Sequence, residues 1–529
     1  MVGGGTLGSV GEISEETCIR GDGYRSQSLS STARQEKSVM AQTEGNRSSR
    51  AGERAPPKTY PGCLESTESK AVPREVRQEG GSVKAGRSEG ESEAARVPER
   101  AKQAASERAC ERAWIDRNIW TDRMLAALDN GVKGDKWFSL IDKVYRAQTL
   151  AGAWQQVKSN RGAAGIDGQS IERFGAQAGR YLEELGQELK EGRYRPSPVK
   201  RVEIPKADGK TRPLGIPTVK DRIAQTAVKR VIEPIFEKRF LPTSYGFRPG
   251  KGCKDALRQV EALLKAGHTH VVDADLQGYF DSIPHSRLKE RFKEVLSDGR
   301  LLALLEGWLE QDIVQELQRW TPTGGTPQGA VISPLLANLY LHSLDERMAE
   351  LGLEMVRYAD DFVILCRTAE QAEGAVLEVK AWVAANELTL HPEKTHVGNC
   401  CIEGQGFEFL GYRFEAGKRQ VRKKSLTVLK DKIRDKTRRT RGQSLRQIIA
   451  DLNPMLKGWF GYFKHAHRWV FPALDGFIRR RLRALLRKQE KRPGAGRCYS
   501  DQRRWPNRFF AAAGLFTMTS AWQSASQSR

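Results

Sequence analysis

No stretch of this chain approaches the roughly 18 consecutive apolar residues of a membrane-spanning helix, so no membrane association is expected. The start, MVGGGTLGSVGEISEE, has neither a basic run nor an apolar core and does not read as a signal peptide. The eight cysteines include no CxxC pair, which argues against zinc ribbons and thiol redox motifs and fits a reducing cytoplasm. His391, His396, Cys400 and Cys401 lie close together, but at no zinc spacing. Phe and Trp are absent before Trp114, and only Tyr24 and Tyr60 represent the aromatics there. Without large apolar groups, residues 1–113 cannot offset the entropy of ordering, so a disordered extension is expected. The other reading of this leader is a translation start further downstream, for instance at Met124. Acidic residues are also short: 65 Asp and Glu face 88 Lys and Arg, giving a net charge of +23. That imbalance suits a polyanionic partner, nucleic acid first.

What the chain does contain is a succession of short structural signals. Trp137, Phe138, Leu140, Ile141 and Val144 recur at helical spacing, and helix continues to about residue 191. VKRVEIPKADGKTRPLGIP (199–217) predicts a hairpin turning at Asp208-Gly209. Helices are expected over 219–240, 253–266 and 284–319, and a strand then a turn over 270–280. TPTGGTPQG (321–329) is a loop, followed by a helix that Ser333 caps and Pro334 opens. A helix over 369–387 and a strand over 407–414 complete the middle. The last quarter is helical and basic: between Lys418 and Arg441, twelve Lys and Arg meet only Asp431 and Asp435. Residues 479–492 add eight more against Glu490.

The stretch RYADDFVIL (357–365) sets two adjacent carboxylates, Asp360 and Asp361, between strand-like runs, where a hairpin turn is expected. In VVDADL (271–276) strand alternation points Asp273 and Asp275 to one side. A carboxylate in an apolar strand is costly unless an ion compensates it. Each stretch alone also fits an ordinary strand-end aspartate. Together, on a basic chain, they favour a site for two divalent cations of the kind that joins nucleotides. One cation activates a 3′-hydroxyl and the other neutralises the triphosphate. Mg²⁺ keeps water and phosphate oxygens in its shell, so few protein ligands suffice.

With these residues in view, the chain resembles group II intron-encoded reverse transcriptases, also called maturases. The likeness runs from about Lys136 to the C-terminus, in collinear order. It rests on NRGAAGIDGQSI (160–171), IPKADGKTRPLGIP (204–217), SYGFRPGKG (244–252), DADLQGYFDSI (273–283) and GGTPQGAVISPLLANLYL (324–341). It continues through YADD (358–361), LTLHPEKT (388–395), FEFLGYRF (407–414) and LNPMLKGWFGYF (452–463). The resemblance implies an α+β right-hand polymerase. N-terminal helices and fingers would occupy 114–264, the palm 265–415, a helical basic thumb or maturase domain X 416–492, and a basic-aromatic tail 493–529.

The same resemblance selects Asp275, Asp360 and Asp361 as ligands of two Mg²⁺ ions, leaving Asp273 behind them or merely solvated. It gives Lys206 and Arg212 the incoming triphosphate, in keeping with a point charge and a donor fork. Phe280 would pack under the nucleotide sugar and reject a 2′-hydroxyl, Tyr279 being the neighbour that a register shift would substitute. Gln328 would lie against the nucleotide. Arg248 and Lys251 suit template backbone, and Lys394 falls near the palm site. Leu456, Trp459, Phe460 and Phe463 at i, i+3, i+4 and i+7 read first as a helix core stripe. Lys457, Lys464 and Arg468 then face outward, and Arg438, Arg439 and Arg441 belong to the basic run expected on RNA phosphates. Many such proteins end in a HNH endonuclease; here no His follows His467 and only Cys498 remains, so none is expected. The tail RRWPNRFFAAAGLF (503–516) suits DNA contact. The function implied is RNA-dependent DNA polymerisation together with binding of group II intron RNA for splicing and mobility, with target DNA, primer and dNTPs as further partners. Other classes are a stand-alone reverse transcriptase recruited to host repair or defence, and a splicing-only RNA-binding protein, against which the intact carboxylate trio stands.

Overall fold

The computed structural model describes residues 113–527 apart from 206–210, 441, 495 and 497. The expected disordered extension (up to residue 112), Lys206 and Arg441 therefore lie outside the described residues. Helices α1 (Asp122–Asn130), α2 (Ile141–Val144), α3 (Ala147–Asn160), α4 (Ile171–Ala176) and α5 (Ala178–Glu191) lead into strands β1 (Val199–Pro205) and β2 (Thr211–Ile216). Then follow α6 (Val219–Arg239), α7 (Cys253–Lys265), β3 (His270–Asp275), α8 (Tyr279–Ser282), α9 (His285–Lys293) and α10 (Gly299–Leu309). Next come β4 (Ile313–Gln315), β5 (Gln318–Trp320), α11 (Ser333–Glu350), β6 (Glu354–Tyr358), β7 (Asp361–Cys366), α12 (Ala369–Ala385) and β8 (His396–Asn399). The chain continues with β9 (Phe407–Phe409), β10 (Tyr412–Glu415), β11 (Lys418–Val421), α13 (Lys423–Lys436), α14 (Leu445–Phe463) and α15 (Val470–Gln489). It ends in α16 (Tyr499–Arg504), α17 (Asn507–Ala512) and α18 (Met518–Gln527).

Three sheets organise these elements, in the orders β2-β1-β4-β5, β6-β7-β3-β8 and β11-β10-β9. The central one is antiparallel throughout, and its β3–β7 register sets Asp275 opposite Asp361. Side chains alternate across this sheet. Val272, Ala274, Phe362 and Ile364 join a core with α6 and α11, while Val271, Val363 and Leu365 join a second core with α7, β9, β10 and α14. Thr218 caps α6 by accepting from the amide of Asp221, and the first half of the helix is buried on nearly every side, its Asp221, Arg222 and Gln225 included. No helix among the described residues is long and apolar enough to cross a membrane.

Several expectations change. The helix foreseen over 284–319 is broken at Asp298, whose buried carboxylate accepts from Arg300 and Leu301 and also from Leu140 and Ile141, capping α10 and anchoring α2. Residues 313–320 pair with β1 instead, as an extra hairpin on the same sheet. FEFLGYRF is two strands, because Leu410 (φ +48°) and Gly411 (φ +83°) turn the chain. Ser333 is the first residue of α11 rather than its cap. A start at Met124 would remove Ile119 and Trp120, both fully buried, and Asp116, which pairs with Arg230. The tail is equally integral. Trp505, Phe510 and Met518 are buried in the second core, and buried Asp475 of α15 caps α18 by accepting from the amides of Met518 and Thr519. Trp505 and Phe510 are thus core residues rather than a DNA-facing surface.

Candidate active site

The turn between β6 and β7 consists of Ala359 and Asp360, with Tyr358 paired to Asp361. Ala359 sits at φ +61°, a conformation usually left to glycine and strained by about 1 kcal/mol or more. Its surroundings hold it there. Arg357 is fully buried and donates to both carboxylate oxygens of Asp345, at 2.7 and 2.5 Å. Its remaining donor reaches Asn338 Oδ1 at 3.0 Å and the carbonyl of Ala359 at 2.9 Å. Asn338 in turn donates to the carbonyl of Gly246 at 2.8 Å. Gly246 lies so close beneath the turn that a Cβ there would stand 2.3 Å from the Ala359 nitrogen. The SYGFRPGKG loop, α11 and the turn thereby form one rigid block. The sequence carries a usable signal for this network, since an arginine inside an apolar strand needs a buried partner.

The turn and β3 bring four carboxylates together at one end of the sheet. Burial pushes Asp361 up to about 7, with Asp273, Asp360 and Asp275 adding like-charge repulsion. Burial also raises Asp273 to about 6 and raises Asp360, with Asp275 contributing to both. Asp273 accepts from the amide of Glu408, 3.4 Å away, and is further occupied in that direction. Lys394 donates to Asp275 Oδ2 at 2.5 Å, setting an ammonium against the most exposed side of the cluster. Among the described residues, no three His, Cys, Asp or Glu side chains are so placed that they could hold a metal ion by themselves. Crowded acidic oxygens with an open side fit a hard cation whose shell is completed by water and phosphate. The donor set therefore suits a divalent ion.

Arg212 lies near enough to Asp360 for its charge to counter the burial that raises the carboxyl. Arg212 of β2 donates to Gln328 Oε1 at 3.0 Å, and Gln328 reaches toward Asp281 at 3.4 Å. The Gln328 loop is pressed onto β2, with the amide of Gly215 donating to the Gln328 carbonyl at 2.6 Å. Gly329, at φ +109°, allows this approach, since a Cβ there would lie 2.4 Å from the Gly215 oxygen. Tyr279 is buried and donates to the carbonyl of Ala337, whereas Phe280 is only half-buried and packs edge-on to exposed Phe247. Phe280, not Tyr279, presents a ring to the open side.

One expectation fails here. Arg248 is buried, paired with Glu237 at 2.7 Å and donating to the carbonyls of Leu241, Ser244 and Phe240. Its donors are spent on holding the loop, so it does not face template. Lys251 is half-buried, donates to the carbonyl of Pro242 and lies over Tyr245; burial lowers it to about 8, beside Arg248. Further along the chain, Leu456, Phe460 and Phe463 are buried as a core stripe and Trp459 is half-buried. Lys457 is exposed on the opposite side and Lys464 half-exposed. Arg438 and Arg439 are exposed, the first paired with Asp435 at 2.8 Å and the second donating to Gly494.

Residues 204–414 match the reverse transcriptase (RNA-dependent DNA polymerase) family, and residues 426–505 match the group II intron maturase-specific domain. Protein YkfC of Escherichia coli (strain K12) is 33% identical over 315 residues, 52% of this chain and 82% of YkfC. The group II intron-encoded protein LtrA of Lactococcus lactis subsp. cremoris is 36% identical over 208 residues, 39% of this chain but 34% of LtrA. A 91 kDa protein in the cob intron of Schizosaccharomyces pombe is 26% identical, covering 60% of this chain and 49% of its own length. The chain thus spans most of YkfC and half or less of these two intron-associated relatives. An α+β right-hand polymerase framework, a reverse transcriptase domain and a maturase domain, in that order, place the chain in the group II intron reverse transcriptase and maturase family.

Proposed function

We propose that the chain copies RNA into DNA from a primer, using dNTPs, and that it binds group II intron RNA to assist splicing and mobility. The observation that carries the polymerase reading is the convergence of Asp275, Asp360 and Asp361 at the strained β6–β7 turn, with Arg212 and Gln328 linked beside them. Two Mg²⁺ ions bound there would supply Lewis-acid activation of the 3′-hydroxyl and neutralisation of the leaving pyrophosphate. Asp275, Asp360 and Asp361 are the residues to hold them. Lys206 and Arg212 take the triphosphate, Gln328 bears on the nucleotide, and Phe280 excludes a ribose 2′-hydroxyl. Fingers over 114–264, palm over 265–415, thumb over 416–492 and a C-terminal tail over 493–529 are the divisions this reading assigns, the tail's Trp505, Phe510 and Met518 joining the second core. The basic residues around Arg438, Arg439, Lys457 and Lys464 take intron RNA. Reducing cytoplasm is the compartment proposed, in keeping with free thiols at Cys253, Cys366, Cys400, Cys401 and Cys498. The test is primer extension on an RNA template with Mg²⁺. Asp360→Ala should slow it by at least about 10²-fold while RNA binding persists; extension near the wild-type rate overturns the assignment.

A further inference from the structure

In the SYGFRPGKG loop, Phe247 holds a backbone conformation that suits its side chain poorly. Its φ is +58°, in the left-handed region where glycine and asparagine are at ease and a bulky residue is an outlier. Both neighbours impose this turn. Gly246 is wedged beneath the β6–β7 turn, and its carbonyl accepts from Asn338. Arg248 is drawn inward by Glu237 and by the carbonyls of Leu241, Ser244 and Phe240. The amide of Tyr245 donates to the Arg357 carbonyl at 2.9 Å, and the amide of Arg357 to the Thr243 carbonyl at 3.0 Å, which pins the loop to β6. With the chain buried at 246 and 248, the side chain between them is left outside, and Phe247 is 48% exposed. Glycine or asparagine would make the same turn with less strain, but neither would place a ring here. Strain of this kind clusters at sites where it serves the mechanism.

The Phe247 ring meets two others. It packs against Phe280 at 6.5 Å and 80°, edge to face, and against Tyr358, the last residue of β6, at 6.5 Å and 41°. Tyr358 is itself held: the Cys253 thiol, at the start of α7, is hydrogen-bonded to its hydroxyl and to that of Tyr462 in α14. Phe280 also touches Tyr279, at 5.6 Å and 64°, and the Tyr279 hydroxyl donates to the Ala337 carbonyl of α11. Among the described residues these are the two rings that touch Phe280. One is anchored to α11; the other is Phe247, backed by the anchored Tyr358. Phe280 is thus confined by rings that rest on the same block as the carboxylate turn.

We infer that Phe247 is a positioning residue for the choice between deoxyribonucleotide and ribonucleotide, acting through Phe280, whose ring it holds in the orientation that rejects a 2′-hydroxyl. This rests on the proposed role of Phe280, and the experiment separates the two. Single-nucleotide primer extension by the full chain, on an RNA template with Mg²⁺, gives kcat/KM for an rNTP and for the matching dNTP. Phe247→Gly and Phe247→Asn keep the left-handed turn and remove the ring. Each should raise relative rNTP use about 2- to 10-fold, the worth of one aromatic pair. Phe247→Tyr keeps the ring and should retain the wild-type ratio. A side chain that only shapes the loop would leave the ratio unmoved in Phe247→Gly, and Phe247→Asn carries the test if that variant melts early. Because Phe247 acts through Phe280, Phe247→Gly/Phe280→Ala should discriminate no worse than Phe280→Ala alone. A wild-type ratio in Phe247→Gly and Phe247→Asn, beside a relaxed Phe280→Ala, overturns the inference and leaves the role of Phe280 standing. Losses that multiply in the double variant also overturn it, since Phe247 would then act without Phe280. A wild-type ratio in Phe280→Ala removes the gate itself, and the inference with it.

Discussion

The β6–β7 turn and the segment formed by α13 and its link to α14 carry opposite charge, and they hold it by opposite means. At the turn, negative groups are few, half-buried and fixed; burial and mutual repulsion raise Asp273, Asp360 and Asp361 together. Along α13 and the residues that join it to α14 the charges are many, exposed and positive, and the ion pairs of Arg434 with Asp431 and Arg438 with Asp435 lie at the surface. A buried, crowded cluster exerts its effect through geometry, whereas a dispersed exposed one does so through the number of phosphates it meets. The first should fail when one atom moves; the second should decline by small steps.

The largest step expected is at the support of the turn. Arg357→Leu leaves Asp345 buried without its partner and should destabilise the protein by about 3–5 kcal/mol. Pairing it with Asp345→Leu should recover most of that loss, read by chemical denaturation. A single variant as stable as wild type would mean that the network does not hold the turn. Phe280→Ala should come next, raising ribonucleotide incorporation roughly 10- to 200-fold in a kinetic comparison of rNTP with dNTP. An effect at Tyr279 with none at Phe280 would contradict the exposure of the two rings. Removing the Asp475 cap with Asp475→Ala should cost about 0.5–2 kcal/mol and loosen α18, measurable as faster amide exchange there. Unaltered exchange would show that the tail is held by its apolar packing alone. Smallest is Arg438→Gln/Arg439→Gln, which should flatten the salt dependence of intron RNA binding by roughly 0.7–0.9 for each phosphate no longer neutralised.

The same contrast explains what is legible in the sequence. Carboxylates in apolar strands announce themselves, because few other residues violate strand alternation so visibly, and the register of β3 and β7 brings Asp275 and Asp361 opposite each other. The hairpin around residues 206–210, α6, α7 and α12 follow from periodicity and turn residues. Arg248 misleads because a basic residue among glycines looks exposed, and only tertiary structure shows Glu237 and three carbonyls around it. The break at Asp298 is hidden because its partners Leu140 and Ile141 are far away in sequence. The tail's aromatics mislead for the same reason: a core formed with distant helices leaves no local period.

The central claim is that the two charge systems do separate work. Asp360→Ala and Arg438→Gln/Arg439→Gln proteins, assayed side by side for primer extension and for salt-dependent intron RNA binding, test it most directly. The account predicts that the first loses extension and keeps the wild-type salt slope, while the second flattens the slope and still extends a short pre-annealed primer. Extension and RNA binding falling together in both proteins would contradict it.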